Sequence, residues 1–318
     1  MVNVTAFSPA AEKALRALAG EEKRSRISET KVKKNQIAPK SLTHLLNLLK
    51  YMNRRNRYML IDSHAHLDDE FFDGKREEII KNFENDRLKY VVEASCDEKT
   101  ILNALSLANN NENIYAILGV HPENDFEYNE KIEKLIDDNC ANEKVIGVGE
   151  IGLDYHCENP NKEMQKNVFL SQAKIANKHG LPVCVHLRDA YGHFLEIVKA
   201  NLNLFNSGLL LHCYSGSPEF AREMITLVPN CYFAFGGSCT FKNAKNVQES
   251  VSFIPVDRIL SETDSPYLTP EPLRGKEKNQ PKYVDFVVQK LADIKQMSKD
   301  KMESVIEENF KRFFKKVK

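Results

Sequence analysis

From Met59 onward, short apolar runs rich in Val, Ile and Leu alternate with longer amphipathic segments. This alternation is typical of repeated strand, crossover helix, strand units, whose parallel strands are covered on both faces. Eight units within about 260 residues match the size of a TIM-type (β/α)8 barrel, so we predict an α/β chain of that fold class. The eight predicted strands are Met59–Asp62, Leu88–Ala94, Ile114–Val120, Val145–Ile151, Pro182–His186, Leu209–Cys213, Cys231–Phe235 and Arg258–Glu262.

Two of the helices between these strands begin or end at recognisable signals. The segment Lys162–His179 is followed by Gly180 and Pro182, as expected at a helix end, and the segment Ser217–Val228 opens with an N-cap serine and a proline. An open doubly wound sheet is the main alternative fold. No Gly-x-Gly-x-x-Gly turn follows the first predicted strand, which favours the barrel.

Residues 1–58 differ in charge from the rest of the chain. They contain 13 Lys and Arg against 4 Asp and Glu, whereas residues 59–318 contain 32 against 41. Two helix-like patches, Ala10–Ala19 and Leu42–Leu49, flank a basic stretch that is too polar to bury a core. We therefore predict a basic N-terminal extension, flexible or appended, before a barrel domain of residues 59–318. The alternatives are an arm that binds nucleic acid, and a misplaced start codon or a fusion upstream of Met59.

The cysteines and the hydropathy pattern favour a cytoplasmic protein. The seven cysteines are odd in number and include no Cys-x-x-Cys pair, so they form neither a disulfide framework nor a zinc-finger pattern. A reducing compartment fits them best. No run of about 18 uncharged apolar residues occurs, which argues against a membrane segment. We expect a cytoplasmic monomer.

The first predicted strand is followed by the pair His64-Ala-His66. Side chains two residues apart along a strand point the same way, so both imidazoles are able to reach one ion. Four more chemistry-bearing residues stand at the carboxyl ends of later predicted strands, at intervals close to whole numbers of βα repeats. They are Glu150, His186, His212 and Asp264. Active sites of barrels lie at that face of the fold, so we expect all six side chains to converge there.

Four imidazoles and two carboxylates make a nitrogen and oxygen shell suited to Zn, Mn, Co or Fe, and less obviously to Mg. Six ligands exceed the needs of one tetrahedral ion, and we predict two divalent ions, Mg, Mn or Zn. Glu150 is central in the strand order and is the predicted bridge. One ion would be held by His64, His66 and Asp264, and the other by His186 and His212. We also predict that Asp264 accepts or orients the proton of the attacking water.

Six motifs follow one another along the chain. They are Ile61-Asp-Ser-His-Ala-His-Leu-Asp68, Gly119-Val-His-Pro122, Gly149-Glu-Ile-Gly-Leu-Asp-Tyr155, His186-Leu-Arg-Asp189, Leu211-His-Cys-Tyr-Ser-Gly216 and Glu262-Thr-Asp-Ser-Pro-Tyr267. In combination, from about Met59 to about Phe314, they resemble the TatD-type metal-dependent hydrolases. The resemblance implies a TIM-type barrel, a divalent-metal centre and deoxyribonuclease activity, in several members as a 3′ to 5′ exonuclease. It also implies the ligand role for the same six residues.

The resemblance further implies that His121 faces the substrate, where its imidazole would donate to a phosphate oxygen; a capped loop histidine is the alternative. Arg188 lies two residues after His186 and would hold a phosphate as a planar fork, unless it forms a plain surface ion pair. Tyr155 and Tyr267 would stack on unpaired bases, although packing of the barrel rim is the alternative for at least one of them.

The loop Leu273–Lys282 is basic within an acidic domain. It contains Arg274, Lys276, Lys278 and Lys282 against Glu277. We predict that this loop, with Arg274 as its first cation, is a phosphate-binding rim, and a merely solvated loop is the alternative. In the common family pattern the Asn and Pro follow Arg-Gly-Lys one residue sooner, which leaves the register of Asn279 open.

We predict a metal-dependent phosphodiester hydrolase, a deoxyribonuclease of the 3′ to 5′ exonuclease type, whose substrate partner is DNA, or RNA. The acidic balance of residues 59–318 argues against a broad nucleic-acid surface. One alternative is therefore a hydrolase that cleaves an amide, ester or lactone in a small molecule. The other is a non-catalytic protein that binds nucleic acid through residues 1–58.

Overall fold

The computed structural model describes residues 59–317, in which eight strands form one parallel sheet. Each strand pairs with the next along the chain. A bridge between Ala65 of the first strand and Ser265, in the segment that follows the last strand, brings the two edges of the sheet together and confirms the predicted (β/α)8 barrel. The strands are β1 (Leu60–Ala65), β2 (Leu88–Ala94), β3 (Ile114–Leu118), β4 (Val145–Asp154), β5 (Val183–Arg188), β6 (Leu209–Leu211), β7 (Cys231–Phe235) and β8 (Ile259–Ser261).

Nine α-helices lie among and after these strands within the described range. They are α1 (Arg76–Lys81), α2 (Glu98–Asn110), α3 (Glu130–Asn139), α4 (Lys162–His179), α5 (Tyr191–Ala200), α6 (Pro218–Leu227), α7 (Lys245–Phe253), α8 (Val284–Ile294) and α9 (Lys299–Phe313). Helix α4 ends at Gly180, whose φ of 65° is left-handed, and Ser217 caps α6 by accepting from the Phe220 amide at 3.3 Å. Both predicted helices are confirmed. No helix among residues 59–317 has the length and apolar character needed to span a membrane.

The strands are buried because the barrel interior lies on one side of them and the helices lie on the other. All ten residues of β4 and all five of β7 are buried. The predicted extension of residues 1–58 lies outside the described residues and stays a prediction.

Three strands extend further toward the carboxyl end of the barrel than their apolar runs indicated. β1 continues to Ala65, β4 to Asp154 and β5 to Arg188. His64 therefore lies inside β1 rather than after it, and Glu150 and His186 lie further from the ends of their strands than predicted. Backbone pairing does not depend on side-chain polarity, so the ladder continues where the side chains change from core to site. This extension brings the polar side chains onto rigid backbone at the mouth of the barrel.

Candidate metal centre

The structure brings the six predicted ligands together at the carboxyl end of the barrel, around Glu150. Glu150 Oε2 lies 3.1 Å from His64 Nε2 and 3.6 Å from His66 Nε2. Its other oxygen, Oε1, lies 2.8 Å from His186 Nδ1 and 2.8 Å from His212 Nε2. One carboxylate thus faces two separate pairs of imidazoles, the arrangement that the predicted bridge requires.

Asp264 completes the first of these groups. Its Oδ1 lies 3.4 Å from His66 Nε2 and 4.0 Å from His64 Nε2. The Asp264 amide donates to the His64 carbonyl at 2.9 Å, so β1 and the segment after β8 are held together by backbone as well as by side chains. On the second side, His186 Nδ1 and His212 Nε2 are 3.5 Å apart.

Two glycines let β4 carry Glu150 into this position. A Cβ at Gly149 would lie 2.7 Å from the Cys184 carbonyl oxygen on β5. A Cβ at Gly152, where φ is 153°, would collide with the carbonyl oxygen of His186. The close approach of β4 to β5 that glycine permits therefore sets the distance between Glu150 and His186.

Each histidine ring of the cluster has one nitrogen that faces Glu150, the inner nitrogen, and one that faces away from it, the outer nitrogen. In two of the histidines a hydrogen bond at the outer nitrogen fixes the orientation of the ring. His66 Nδ1 donates to the Ala94 carbonyl at 3.1 Å, and His186 Nε2 donates to Asp154 Oδ2 at 2.8 Å. Each neutral ring therefore directs the electron pair of its inner nitrogen toward Glu150. Metal-ligating histidines are oriented in this way, by an outer acceptor that fixes the tautomer.

The donor set fits a cationic occupant. An inner nitrogen with an electron pair, His186 Nδ1, lies 2.8 Å from a carboxylate oxygen, and such a contact needs a positive charge at or between the two atoms. Burial lowers the pKa of His212, but the charge of Glu150 outweighs it and holds the pKa well above its ordinary value. Burial likewise raises the pKa of Glu150, but the charges of His212 and His121 outweigh it and hold the pKa well below its ordinary value. Protons therefore compete with a metal ion for these atoms.

His121 lies in the same cluster, but its hydrogen bonds differ from those of the ligands. Its Nδ1 accepts from the Glu123 amide at 3.2 Å, so the neutral ring carries its hydrogen on Nε2. That Nε2 lies 3.4 Å from Glu150 Oε1. The sequence analysis gave a capping role and a role facing the site as alternatives for His121, and the structure shows both contacts. The side that faces the site is a hydrogen-bond donor.

Four buried acids around the centre were not predicted. Asp154 contacts His186, and Glu262 accepts from the Cys213 amide at 2.5 Å while lying 3.6 Å from His212 Nδ1. The other two hold backbone amides and are Asp62 and Glu93. Asp154 could have been predicted from its position four residues after Glu150, because side chains an even number of residues apart along a strand point to the same face.

The predicted substrate-binding arginines lie outside the ligand cluster. Arg188 is exposed at the end of β5, and its side chain makes no ion pair or hydrogen bond with another described residue. The Arg274 guanidinium stacks on the Phe241 ring, 3.7 Å from its centroid. Asn279 is buried, and its amide donates to the carbonyls of Thr263 and Tyr267, so it braces the loop rather than facing solvent.

The two tyrosines of the rim differ in exposure. Tyr155 is partly buried, and its hydroxyl contacts His193 Nδ1 at 2.5 Å. Tyr267 is 52% exposed, with its ring centroid 6.0 Å from that of His66 and its hydroxyl donating to Asp69. Of the two, Tyr267 offers an open aromatic face next to the ligands.

Residues 61–315 match the sequence model of the family described as TatD related DNase. An uncharacterised metal-dependent hydrolase of Bacillus subtilis, YabD, is 40% identical over 256 residues, which are 80% of this chain and 99% of that protein. The uncharacterised metal-dependent hydrolase YcfH of Escherichia coli K12 is 32% identical, over 80% of this chain and 95% of its own.

Solved structures share the fold. YjjV, a TatD homologue from Escherichia coli K12, superposes with a TM-score of 0.75 at 24% identity, covering 80% of this chain and 98% of its own. A TatD family hydrolase from Entamoeba histolytica gives a TM-score of 0.70 at 20% identity, over 81% of this chain and 98% of its own. The match to the family model along the whole barrel and the two bacterial relatives lead to one conclusion: this chain belongs to the TatD related DNase family and is a metal-dependent hydrolase.

Proposed function

We propose that the protein hydrolyses phosphodiester bonds in DNA and removes nucleotides from the 3′ end. The main support for this proposal is the position of Glu150, whose two carboxylate oxygens face two separate pairs of imidazoles. Two-ion sites of this kind are suited to displacement at phosphorus, because the attacking and the leaving oxygen both need stabilisation. The name of the matched family, TatD related DNase, supports the same reaction.

The centre would hold two divalent cations, Mg, Mn or Zn, one with His64, His66, Asp264 and Glu150 and the other with His186, His212 and Glu150. When bound, such ions lower the pKa of water to about 7 and neutralise charge that develops on the phosphate oxygens. RNA has the same phosphodiester and remains a second substrate of the proposal.

Two side chains of the protein then handle protons. Burial raises the pKa of Asp264, but the neighbouring His66 side chain and the charge of His212 outweigh it and lower the pKa below its ordinary value. Asp264 is therefore ionised at neutral pH and is able to accept a proton from the attacking water. His121 presents an Nε2 hydrogen, which would donate to a phosphate oxygen of the substrate. Replacing His121 by Gln should lower kcat about 100-fold while both ions still bind.

Tyr267 and Arg188 are proposed to hold the DNA strand beside the centre. The exposed face of Tyr267 next to His66 suits stacking of an unpaired base, and Arg188 has no acidic partner among the described residues. Arg274 lies on the loop after β8 and would contact a phosphate further along the strand after leaving the Phe241 ring.

The proposal is tested with single-stranded DNA carrying a label at its 5′ end, incubated with Mg²⁺ or Mn²⁺. The wild-type protein should produce a ladder of progressively shorter labelled strands. The variant His186→Ala should be slower by on the order of 100-fold or more, because it removes a ligand and its charge stabilisation. His179→Ala is the matched control, since His179 is another partly buried histidine that pairs with Asp137 on α3, outside the ligand cluster.

A hydrolase of small amides, esters or lactones is the second candidate, and the excess of acidic residues in 59–318 favours it. An uncut DNA strand, or equal cutting by wild type and His186→Ala, would contradict the nuclease. Metal-dependent turnover of a chromogenic lactone or ester, lost in His186→Ala, would then support the second candidate.

A further inference from the structure

The two halves of the centre are built from different numbers of ligands. The half around Glu150 Oε2 has four donors, because it includes Asp264 as well as His64 and His66. The half around Glu150 Oε1 has three, and we call it the three-ligand half. Its donors are Glu150, His186 and His212. With fewer direct ligands, this half depends more strongly on how well each ligand is oriented.

Asp154 supplies that orientation for His186. It is 1% exposed, and its Oδ2 accepts from His186 Nε2 at 2.8 Å. Its Oδ1 accepts two backbone N–H groups, from His156 at 2.8 Å and from Cys157 at 3.2 Å. The carboxylate is therefore held in place from one side and turned toward the imidazole on the other.

His66, in the half with four donors, has a weaker outer partner. Its Nδ1 donates to a neutral backbone carbonyl, that of Ala94, at 3.1 Å. A charged acceptor strengthens the hydrogen bond and makes the inner nitrogen a better ligand, which a carbonyl does to a smaller extent. The charged acceptor, Asp154, therefore lies beside the three-ligand half, in which the shared Glu150 is the one carboxylate among the predicted ligands.

We propose that Asp154 is the positioning residue that allows the three-ligand half to hold its ion, by fixing His186 as the tautomer with its hydrogen on Nε2. The inference rests on the two-ion centre of the proposed function, but it concerns ion binding and not the substrate. Outer partners of metal-bound histidines typically account for a factor of about 10 to 100 in metal affinity.

The variant Asp154→Asn gives the sharpest test, because the two backbone donors dictate how the new amide sits. Its oxygen must still accept from the His156 and Cys157 amides, so its NH₂ group faces His186 Nε2. The ring then has to accept at Nε2 and carry its hydrogen on Nδ1, which points at Glu150 Oε1. That hydrogen occupies the position of the electron pair that the ion needs.

Metal-free protein is titrated with Mn²⁺ by calorimetry. Wild type should bind two equivalents, and Asp154→Asn should bind one with unchanged affinity and the second about 10 to 100 times more weakly. The double variant with His186→Ala should lose no more than His186→Ala alone, because both changes act on one ligand. Glu303→Gln is the control: Glu303 is a buried carboxylate that pairs with Arg87, outside the centre, and this variant should bind both equivalents.

Long-range proton–nitrogen NMR spectra of the wild-type imidazoles give a second measurement that needs no variant. With diamagnetic Zn²⁺ bound, the expected tautomer of His186 carries hydrogen on Nε2, and the opposite tautomer would overturn the inference. So would a wild type that binds fewer than two equivalents, a variant that keeps both affinities, or one in which both ions weaken together. A protein that binds ions as expected but leaves DNA uncut would overturn the proposed function and leave the role of Asp154 standing.

Discussion

Glu150 lies between the two halves of the proposed centre, because each of its oxygens faces a different pair of imidazoles. In Glu150→Gln the side chain keeps its size but loses its charge, and one of its two oxygens becomes an NH₂ group that repels a cation. We predict that the affinity for both ions falls together, by on the order of 100-fold or more, measured by metal analysis after dialysis.

A buried glutamate outside the centre serves as the control for this change. Glu303 is 3% exposed and its carboxylate pairs with Arg87, without facing the predicted ligands. Glu303→Gln should therefore keep both ions. If Glu150→Gln lost only one ion, Glu150 would be a ligand of a single site and the bridge would be wrong.

Proton competition is the second prediction at the residue scale. Burial lowers the pKa of His186, but its hydrogen bonds with Asp154 and Glu150 outweigh it and raise the pKa. The pKa of His212 is raised as well, by the charge of Glu150 against the opposing effect of burial. A protonated imidazole has no electron pair for a metal, so these protons must leave when the ion binds.

Apparent metal affinity should therefore rise with pH through the neutral range and level off above the raised imidazole pKa values. Calorimetry in buffers of different ionisation enthalpy should show proton release that shrinks as the pH rises. Binding with no proton release at neutral pH would mean that the imidazoles are already neutral.

That the six predicted ligands lie together was predictable, because side-chain alternation and barrel geometry together direct strand-end residues to one place. The residues that orient them were harder to predict, for two reasons. The partner of His66 is a backbone carbonyl, that of Ala94, which leaves no trace in the side-chain pattern. Asp154 lies in the motif that runs from Gly149 to Tyr155, but the sequence does not show which histidine side chain it contacts.

At the scale of the element, β4 shows where the sequence failed to predict the end of a strand. Its apolar run predicted an end at Ile151, whereas β4 continues to Asp154 with Gly152 in the pairing with β5. Glycine lowers the predicted strand propensity, yet here it is required by the neighbouring backbone. The prediction failed because the approach of β5 is a tertiary contact, which local sequence does not encode.

Gly152→Ala should test this contact. The new Cβ would collide with the His186 carbonyl oxygen, and φ of 153° is unfavourable for alanine. We predict a loss of about 1–3 kcal/mol in the free energy of unfolding, measured in urea, and weaker metal binding because β4 and β5 carry Glu150 and His186.

Gly180→Ala is the control for this variant, because it introduces backbone strain without a steric collision. Gly180 has a φ of 65° but no atom within 4 Å of an added Cβ, so this variant should lose about 1 kcal/mol and keep its metal affinity. Equal metal affinities in the two variants would show that the close approach of β4 to β5 does not set the geometry of the centre.

At the scale of the whole molecule, the barrel accounts for nearly the full length of the relatives. About 80% of this chain aligns with 99% of YabD and 95% of YcfH, and the family match begins at residue 61. All six predicted ligands lie within that part. We therefore predict that a chain beginning at Met59 keeps the barrel, both ions and an unchanged kcat on single-stranded DNA.

The positive charge of residues 1–58 predicts that their removal weakens DNA binding, although it leaves kcat unchanged. Removing 13 Lys and Arg against 4 Asp and Glu leaves a chain with an excess of acidic residues, which repels phosphates. At low salt the shortened protein should have a higher KM for DNA, and the difference should disappear as salt rises, because release of counterions drives the contacts of a basic segment. A full-length variant with neutral residues in place of the basic ones at 31–40 should reproduce part of the change. Loss of kcat or of bound metal in the shortened chain would instead mean that the first 58 residues contribute to the centre itself.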